Sequence, residues 1–377
     1  MNQVKSFKYD VLIGPEDLCN REEERKSFLS AAKKGKRVVL FAPRRYGKTS
    51  LIRNIVGLDF QKGSRKHFLL NFDLMDVRSM ESIEERLHTG LTHALSSHFS
   101  PKKILAEIIG YLKGFTVQID QNPNTGQPSV QLTSKKKEAK KNIYDYFDSI
   151  KQLSKKYKLM IVLDEFHDIA FVEGAEALFR IFLQELQDTA IFTLGSKRHL
   201  LKVMFQDSNA PLFHYGDEAH LYPISVEHWL PYFQERLHPA KLKIEEAALS
   251  YLVKKMYDVP NAICEVGEWL RENVPQKTII TKTVVEQQLS DLIQRKQSFA
   301  YLLQAYSEKE KTVLKMISFF EFVKEPSSDN FLKTVRLPKS TTSHIIKKLL
   351  DVGAIEFEIE KGYRVSDPLL GYYLLDA

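Results

Sequence analysis

Cysteine is almost absent from this sequence. Among 377 residues there are two cysteines, Cys19 and Cys264, and they lie far apart along the chain. Two isolated thiols exclude a scaffold held together by several disulfides, and they exclude the closely spaced cysteine pairs that bind zinc. Such sparse use of cysteine is typical of a reducing compartment.

Long apolar runs are missing as well. No stretch approaches the ~20 consecutive apolar residues that a membrane-spanning helix needs. The first residues, Met1–Lys5, do not contain the apolar core of a secretory signal. We therefore expect a cytoplasmic protein with no membrane among its partners.

A strong excess of one charge is also absent. Lysine and arginine number 55, and aspartate and glutamate 48, which gives a formal net charge of +7. This balance favours an anionic partner only mildly. The hydrophobic fraction of 43% and the length of 377 residues are typical of a globular protein with two or three domains.

What the sequence does contain is the pattern of a phosphate-binding loop at residues 42–50. The loop follows an apolar run at 38–41, typical of a buried parallel strand, and precedes a predicted helix that starts near Leu51. Backbone N–H groups of such a loop bind phosphate together with the helix N-terminus. The usual first glycine of the pattern is Ala42 here, and we expect alanine to be tolerated.

Several loop residues have expected parts in binding a nucleotide. Gly47 lets the backbone pass close to the phosphates, Lys48 brings a positive charge to them, and the Thr49 hydroxyl is a ligand for Mg²⁺. Arg44 and Arg45 have three open assignments: the phosphates, a subunit interface, or acids of the same chain. The residues expected to contact ATP or ADP in this loop are Ala42, Pro43, Arg44, Arg45, Tyr46, Gly47, Lys48, Thr49 and Ser50.

The second half of the expected site follows an apolar run at 159–163. Asp164 and Glu165 come next, at the carboxyl end of a predicted parallel strand, where ligands of open α/β sheets bind. We expect Asp164 to hold Mg²⁺ and Glu165 to polarise the attacking water. Another predicted strand at 190–194 ends near Ser196 and Arg198, and either residue is a candidate sensor of the γ-phosphate. The alternative interpretation is that this segment is a helix N-terminus with basic residues on the surface.

Three regions are predicted along the chain. Residues 1–223 form an α/β core with a β-hairpin insertion near 115–133, residues 224–306 a helical lid, and residues 307–377 a winged helix-turn-helix. The local patterns also predict a helix cap at Asn20, a hairpin turn at 122–126, a short strand or connector at 221–224, one helix over 282–306 and a capping box at Ser307–Glu310. The lysine-rich segment 135–141 is either a solvated helix start or a nucleic-acid patch.

The last region has two open interpretations. No acidic residue lies between Phe331 and Leu350, which favours contact with double-stranded DNA. Glutamates at 356, 358 and 360 in the predicted wing, and equal numbers of acidic and basic residues over 308–377, favour docking of a protein instead. The candidate DNA-contacting residues are Lys339, Ser340, Thr342, His344, Lys347 and Lys348.

With these segments in place, the chain resembles the archaeal-type P-loop ATPases, which lie near the AAA+ origin-recognition ATPases and the STAND signalling ATPases. The resemblance implies a P-loop NTPase fold with a parallel sheet of order 5-1-4-3-2, a helical lid, and ATP with Mg²⁺. It also implies an adenine contact for Pro260, although Asp258 stands where relatives often have glycine. The segments that carry it are Asn20–Glu24, Pro43–Leu51, Leu163–Phe166, Gly195–Arg198 and Val365–Leu369.

The function expected from these features is Mg²⁺-dependent binding and hydrolysis of ATP by a DNA-associated switch or loader. The expected catalytic residues are Lys48, Glu165 and Arg198. A signalling ATPase whose winged helix docks a protein is the alternative, and a phosphotransferase for a small substrate is a third possibility that the carboxylate pair disfavours. An arginine finger would come from a neighbouring copy in a homo-oligomer, and the sequence does not indicate which arginine would act as this finger.

Overall fold

The computed structural model of the chain describes residues 5–100, 103, 107–112, 114–121, 128–134, 138–358 and 361–376. The chain forms two compact units. The first, the core unit, consists of Arg21–Ala42 and Lys48–Leu221. The second, the terminal unit, consists of Met1–Asn20, Pro43–Gly47 and Tyr222–Ala377. The predicted boundaries after residues 223 and 306 stay predictions.

A five-stranded parallel sheet forms the centre of the core unit, and two further strands pair as an antiparallel hairpin. The predicted turn of that hairpin, at 122–126, lies outside the described residues. In chain order the strands are β1 (Arg37–Phe41), β2 (His67–Asp73), β3 (Phe115–Gln121), β4 (Pro128–Ser134), β5 (Lys158–Asp164), β6 (Ala190–Gly195) and β7 (Asp217–His220).

The strand order of the sheet is β2-β5-β6-β1-β7. Counting only the parallel strands, and reading from β7, this is 5-1-4-3-2, so the expected topology is confirmed. Residues 159–164 of β5 and all of β6 are buried, because a parallel sheet is covered on both faces. The carboxyl ends of β1, β5 and β6 therefore lie side by side at one edge of the sheet.

The last strand of the sheet differs from the expectation. The sequence places a short strand or connector at 221–224, whereas the structure has β7 at Asp217–His220. The strand lies at the sheet edge beside β1 alone, and three of its four residues are exposed. An exposed edge strand lacks the apolar run that marks a buried strand, so the pattern of residues does not reveal it.

Helices cover the sheet of the core unit. The segment after the phosphate loop is a π-helix, Ser50–Gly57, which continues directly into α2. The first helix begins after Arg21, whose φ of 83° is left-handed, and no side chain caps it, so the expected cap at Asn20 is wrong. The helices are α1 (Glu22–Lys33), α2 (Leu58–Lys62), α3 (Met80–His98), α4 (Ala139–Ser154), α5 (Ala175–Glu185) and α6 (Arg198–Gln206).

The terminal unit is mainly helical. The single helix expected over 282–306 is split at Lys296, and the short helix that follows the wing is not predicted from the sequence. The helices are α7 (Val226–Leu237), α8 (Glu246–Lys255), α9 (Pro260–Asn273), α10 (Lys282–Arg295), α11 (Gln297–Leu303), α12 (Glu308–Phe319), α13 (Asp329–Val335), α14 (Lys339–Asp351) and α15 (Pro368–Asp376). The strands are β8 (Lys243–Ile244), β9 (Ile279–Ile280), β10 (Ile355–Glu358) and β11 (Gly362–Val365).

Helices α12, α13 and α14 followed by the β10–β11 hairpin form the winged helix. The expected capping box starts α12: the Ser307 hydroxyl accepts from the Glu310 N–H, and the Ser307 N–H donates to the Glu310 carboxylate at 2.8 Å. In the wing, the fully buried Arg364 pairs with Glu356 and lies 2.8 Å from Glu358. Within the described part of the chain, no helix combines the length and apolar character needed to span a bilayer.

Candidate active site

The phosphate loop starts where β1 leaves the sheet. Ala42 is fully buried at this point, and its φ is not positive, so a glycine is not required there. Lys48 is also buried, and its Nζ donates to the Ala42 carbonyl oxygen at 3.3 Å. The lysine side chain is thereby folded back towards the residue that ends β1.

Two loop residues adopt left-handed backbone conformations. The φ angles are 62° at Arg45 and 76° at Gly47. Alternation of right- and left-handed residues turns successive N–H groups towards one concavity, which is an arrangement that binds anions. Glycine reaches this conformation freely, whereas a residue with a Cβ pays about 1–2 kcal/mol for it. Arg45 therefore needs support from its surroundings.

Thr49 and Asp164 meet at the carboxyl end of β5. The Thr49 hydroxyl donates to Asp164 Oδ2 at 2.7 Å, and Asp164 Oδ1 accepts from the Glu165 N–H at 3.0 Å. Burial raises the pKa of Asp164, while the Thr49 hydrogen bond and the charge of Lys48 act in the opposite direction. A hydroxyl and a buried carboxylate are hard oxygen ligands that suit Mg²⁺, and a cation there would offset the cost of burying the charge.

Glu165 is fixed against the end of β6. Its Oε2 accepts two hydrogen bonds from Ser196, one from the backbone N–H at 3.0 Å and one from the hydroxyl at 2.9 Å. The Glu165 backbone is left-handed, with φ of 48°. Of the two candidate sensors, Ser196 is therefore the one that contacts Glu165, and Arg198 lies at the start of α6.

Three residues that the sequence analysis does not name individually extend this network. His167 Nδ1 lies 3.3 Å from Glu165 Oε2, and His167 Nε2 lies 3.5 Å from Asp168 Oδ1. Lys197 donates to the same Asp168 oxygen at 3.2 Å. Burial lowers the pKa of His167 to about 4 despite the two nearby acids, so the ring is neutral at pH 7. The signal in the sequence is a His-Asp pair inside an otherwise apolar segment, Phe166–Ile169.

Loop residues 43–47, which include Arg44 and Arg45, belong to the terminal unit. Arg45 Nη1 lies 2.6 Å from Asp367 Oδ2, so the structure shows the third of its open assignments, pairing with an acid of the same chain. Pro260 is the first residue of α9, where its missing N–H has no cost. Its contact with adenine stays a prediction.

The candidate DNA face corresponds to one side of α14. Successive helix residues lie about 100° apart, so residues 339, 340, 343, 344, 347 and 348 share one face, and all six are exposed. Thr342 points the other way and is 1% exposed, so its assignment as a DNA contact is wrong. Lys348 lies on this face but pairs with Glu310 at 2.6 Å.

Comparison with known proteins agrees with this architecture. A family model for an ATPase domain predominantly from Archaea matches residues 18–208, just over half of the chain. A model for a probable winged helix domain matches residues 297–376. A search of curated proteins finds no match.

Solved structures share the fold over nearly the whole chain. The Walker-type ATPase PABY2304 of Pyrococcus abyssi is 16% identical, with a TM-score of 0.61 over 98% of this chain and 99% of its own. The ORC2 protein of Aeropyrum pernix, solved in ADPNP-ADP complexes, is 13% identical, with a TM-score of 0.53 over 97% and 95%. The ORC1 protein of the same organism, solved in complex with DNA, is 11% identical, with a TM-score of 0.52 over 96% and 94%. The chain therefore belongs to the family of ATPase domains found predominantly in Archaea, and it carries a winged helix at its C-terminal end.

Proposed function

We propose that the chain is a Mg²⁺-dependent ATPase that acts on or beside double-stranded DNA. The observation that carries the chemistry is the 2.7 Å contact between Thr49 and Asp164. It joins the phosphate loop to the acidic end of β5, where the hydrolysing groups of such a sheet meet. Thr49 and Asp164 would hold Mg²⁺, whose charge would neutralise the phosphate oxygens.

The protein residues have separate tasks in this proposal. Lys48 leaves the Ala42 carbonyl and pairs with the phosphates, because a full negative charge is a stronger partner than a neutral carbonyl. Glu165 orients the attacking water and accepts its proton. Ser196 fixes the direction of the Glu165 carboxylate through two hydrogen bonds. No arginine finger is assigned, and a neighbouring copy remains the proposed source of one.

The exposed basic face of α14 supports the DNA part of the proposal. Lys339, His344 and Lys347 are exposed on it beside two serine hydroxyls, a combination that suits phosphate contacts. The acidic residues of the wing argue less against DNA binding than the sequence suggests, because Glu356 and Glu358 form ion pairs with Arg364. The ORC1 structure from Aeropyrum pernix, solved with DNA, supports the idea that this fold accommodates DNA.

Docking of a protein is the second candidate. The winged helix leaves large apolar side chains exposed, with 64% of Phe319, 52% of Val352 and 39% of Phe357 accessible. Exposed apolar residues of this size favour a protein surface over a phosphate backbone. In this candidate ATP would act as a conformational switch and its hydrolysis as a slow reset.

Salt-dependent binding to a short DNA duplex distinguishes the two. A lysine that contacts a phosphate contributes about one unit to the slope of log affinity against log salt. We expect Lys347→Glu to weaken duplex binding and lower this slope, and the matched control Lys254→Glu, on the exposed side of α8, to leave both unchanged. Equal binding by the wild type and Lys347→Glu would contradict the DNA assignment and favour the protein partner.

A further inference from the structure

Three consecutive residues of the phosphate loop lie near residues of the winged helix domain, 297–376, within the terminal unit. A Cβ added to Gly353 would lie 3.5 Å from Arg44 Nη1, which places the Arg44 guanidinium over the end of α14. Arg45 Nη1 pairs with Asp367 Oδ2 at 2.6 Å. Tyr46 is 7% exposed and lies within electrostatic reach of Arg364 in β11. The loop therefore lies beside residues more than 300 positions away, and the ion pair between Arg45 and Asp367 joins the two segments.

Asp367 is itself fixed by the helix that it precedes. Its Oδ1 accepts from the Leu369 N–H at 3.0 Å and from the Leu370 N–H at 3.4 Å, which caps the first turn of α15. The other oxygen, Oδ2, is left to meet Arg45. Both side chains are partly shielded, with 34% of Arg45 and 20% of Asp367 accessible. The carboxylate thus holds the arginine from a fixed position.

Arg45 is the loop residue that needs such support. Its φ of 62° is the left-handed conformation that shapes the concavity of N–H groups, and its Cβ makes this conformation unfavourable. Gly47, two residues further, has the same conformation without that penalty. An ion pair that fixes the Arg45 side chain also favours the backbone conformation from which the side chain reaches Asp367.

We propose that Asp367 is a positioning residue for nucleotide binding, and that it acts through Arg45 to keep the phosphate loop in its anion-binding conformation. This inference rests on the proposed function of the loop as the site for ATP. The affinity of the loop for a di- or triphosphate then depends on the winged helix. Because such coupling is reciprocal, bound ATP also favours the arrangement in which Arg45 and Asp367 are paired.

The test is a double-mutant cycle at these two positions with binding of a non-hydrolysable ATP analogue and Mg²⁺ as the readout. Asp367→Asn keeps an oxygen for the helix cap but turns an amide group towards Arg45. We expect the Kd to rise about fivefold, equivalent to about 1 kcal/mol, while kcat at saturating ATP is unchanged because Glu165 is untouched. Arg45→Gly adopts the left-handed conformation without the ion pair, so in that background Asp367→Asn should have no further effect.

A matched control and the thermal stability of each variant exclude general damage. Glu185→Gln breaks the Lys151–Glu185 pair, which has a similar length of 2.7 Å but lies on α4 and α5, and should leave the Kd unchanged. An unchanged or tighter Kd in Asp367→Asn, or an equal loss in the Arg45→Gly background, would overturn this inference alone. Failure of the wild type to bind the analogue, or binding that survives Lys48→Ala, would instead overturn the proposed function and this inference with it.

Discussion

The Ser196 hydroxyl offers the sharpest single-atom test of the catalytic arrangement. Ser196→Ala removes one of the two hydrogen bonds to Glu165 Oε2, at 2.9 Å, and leaves the backbone bond at 3.0 Å in place. A hydrogen bond to a charged group contributes about 1.5–3 kcal/mol. Because 24% of the Glu165 side chain is accessible to water, we take the lower end of that range. This corresponds to a kcat about tenfold lower.

The assay is steady-state ATP hydrolysis beside binding of a non-hydrolysable analogue. The affinity for the analogue should be unchanged, since Ser196 orients Glu165 and the phosphates are held by the loop. Ser196→Thr retains a hydroxyl and should recover most of the rate. Ser154→Ala, which removes a hydroxyl bonded to the Lys151 carbonyl at 2.8 Å, is the control. A rate in Ser196→Ala equal to or above that of the wild type would contradict this role, because the hydroxyl would then contribute nothing to the orientation of Glu165.

Three further predictions concern Arg364, Thr49 and His167. Arg364→Leu should destabilise the winged helix by about 3 kcal/mol in chemical unfolding, because Glu356 and Glu358 lose the buried cation that they share; a loss below 1 kcal/mol would contradict this. Thr49→Ala should raise the Mg²⁺ concentration needed for half-maximal turnover several-fold, and an unchanged requirement would remove Thr49 from the metal site. The pKa of His167 lies near 4 in the folded chain and near 6.5 when unfolded, so the unfolded state takes up the proton first and the free energy of unfolding falls as the pH drops from 6.5 towards 4. His167→Gln should therefore reduce the decrease in the free energy of unfolding between pH 7 and pH 5 by about 2 kcal/mol, measured by urea unfolding.

Much of the fold was predictable because its signals are local. Buried parallel strands are continuous apolar runs, and the loop between β1 and the π-helix has a fixed spacing of glycine, lysine and threonine. The strand order followed from the family resemblance and is confirmed. The edge strand β7 was missed because its residues are mostly exposed, and the break at Lys296 because both flanking helices have the same apolar periodicity.

The site was predictable where its residues follow the ends of strands. Asp164, Glu165 and Ser196 lie at the ends of β5 and β6, where the sequence predicts them, because buried strands are recognisable as apolar runs; their roles in the site stay predictions. Thr342 was misplaced because its hydroxyl suggested a surface role, whereas helical phase turns it inward. The pair between Arg45 and Asp367 joins positions 322 residues apart, and no local pattern connects them. Only tertiary structure shows that the loop and the winged helix meet.

ATP turnover by the purified chain, measured with and without duplex DNA at low salt and beside Glu165→Gln, tests both the chemistry and the DNA assignment. We expect that duplex DNA stimulates turnover, that added salt returns it to the basal rate, and that Glu165→Gln abolishes it. A turnover rate that DNA does not change at any salt concentration would contradict the proposal that DNA binding by the winged helix is coupled to ATP hydrolysis. Turnover that survives in Glu165→Gln would contradict the assigned chemistry itself.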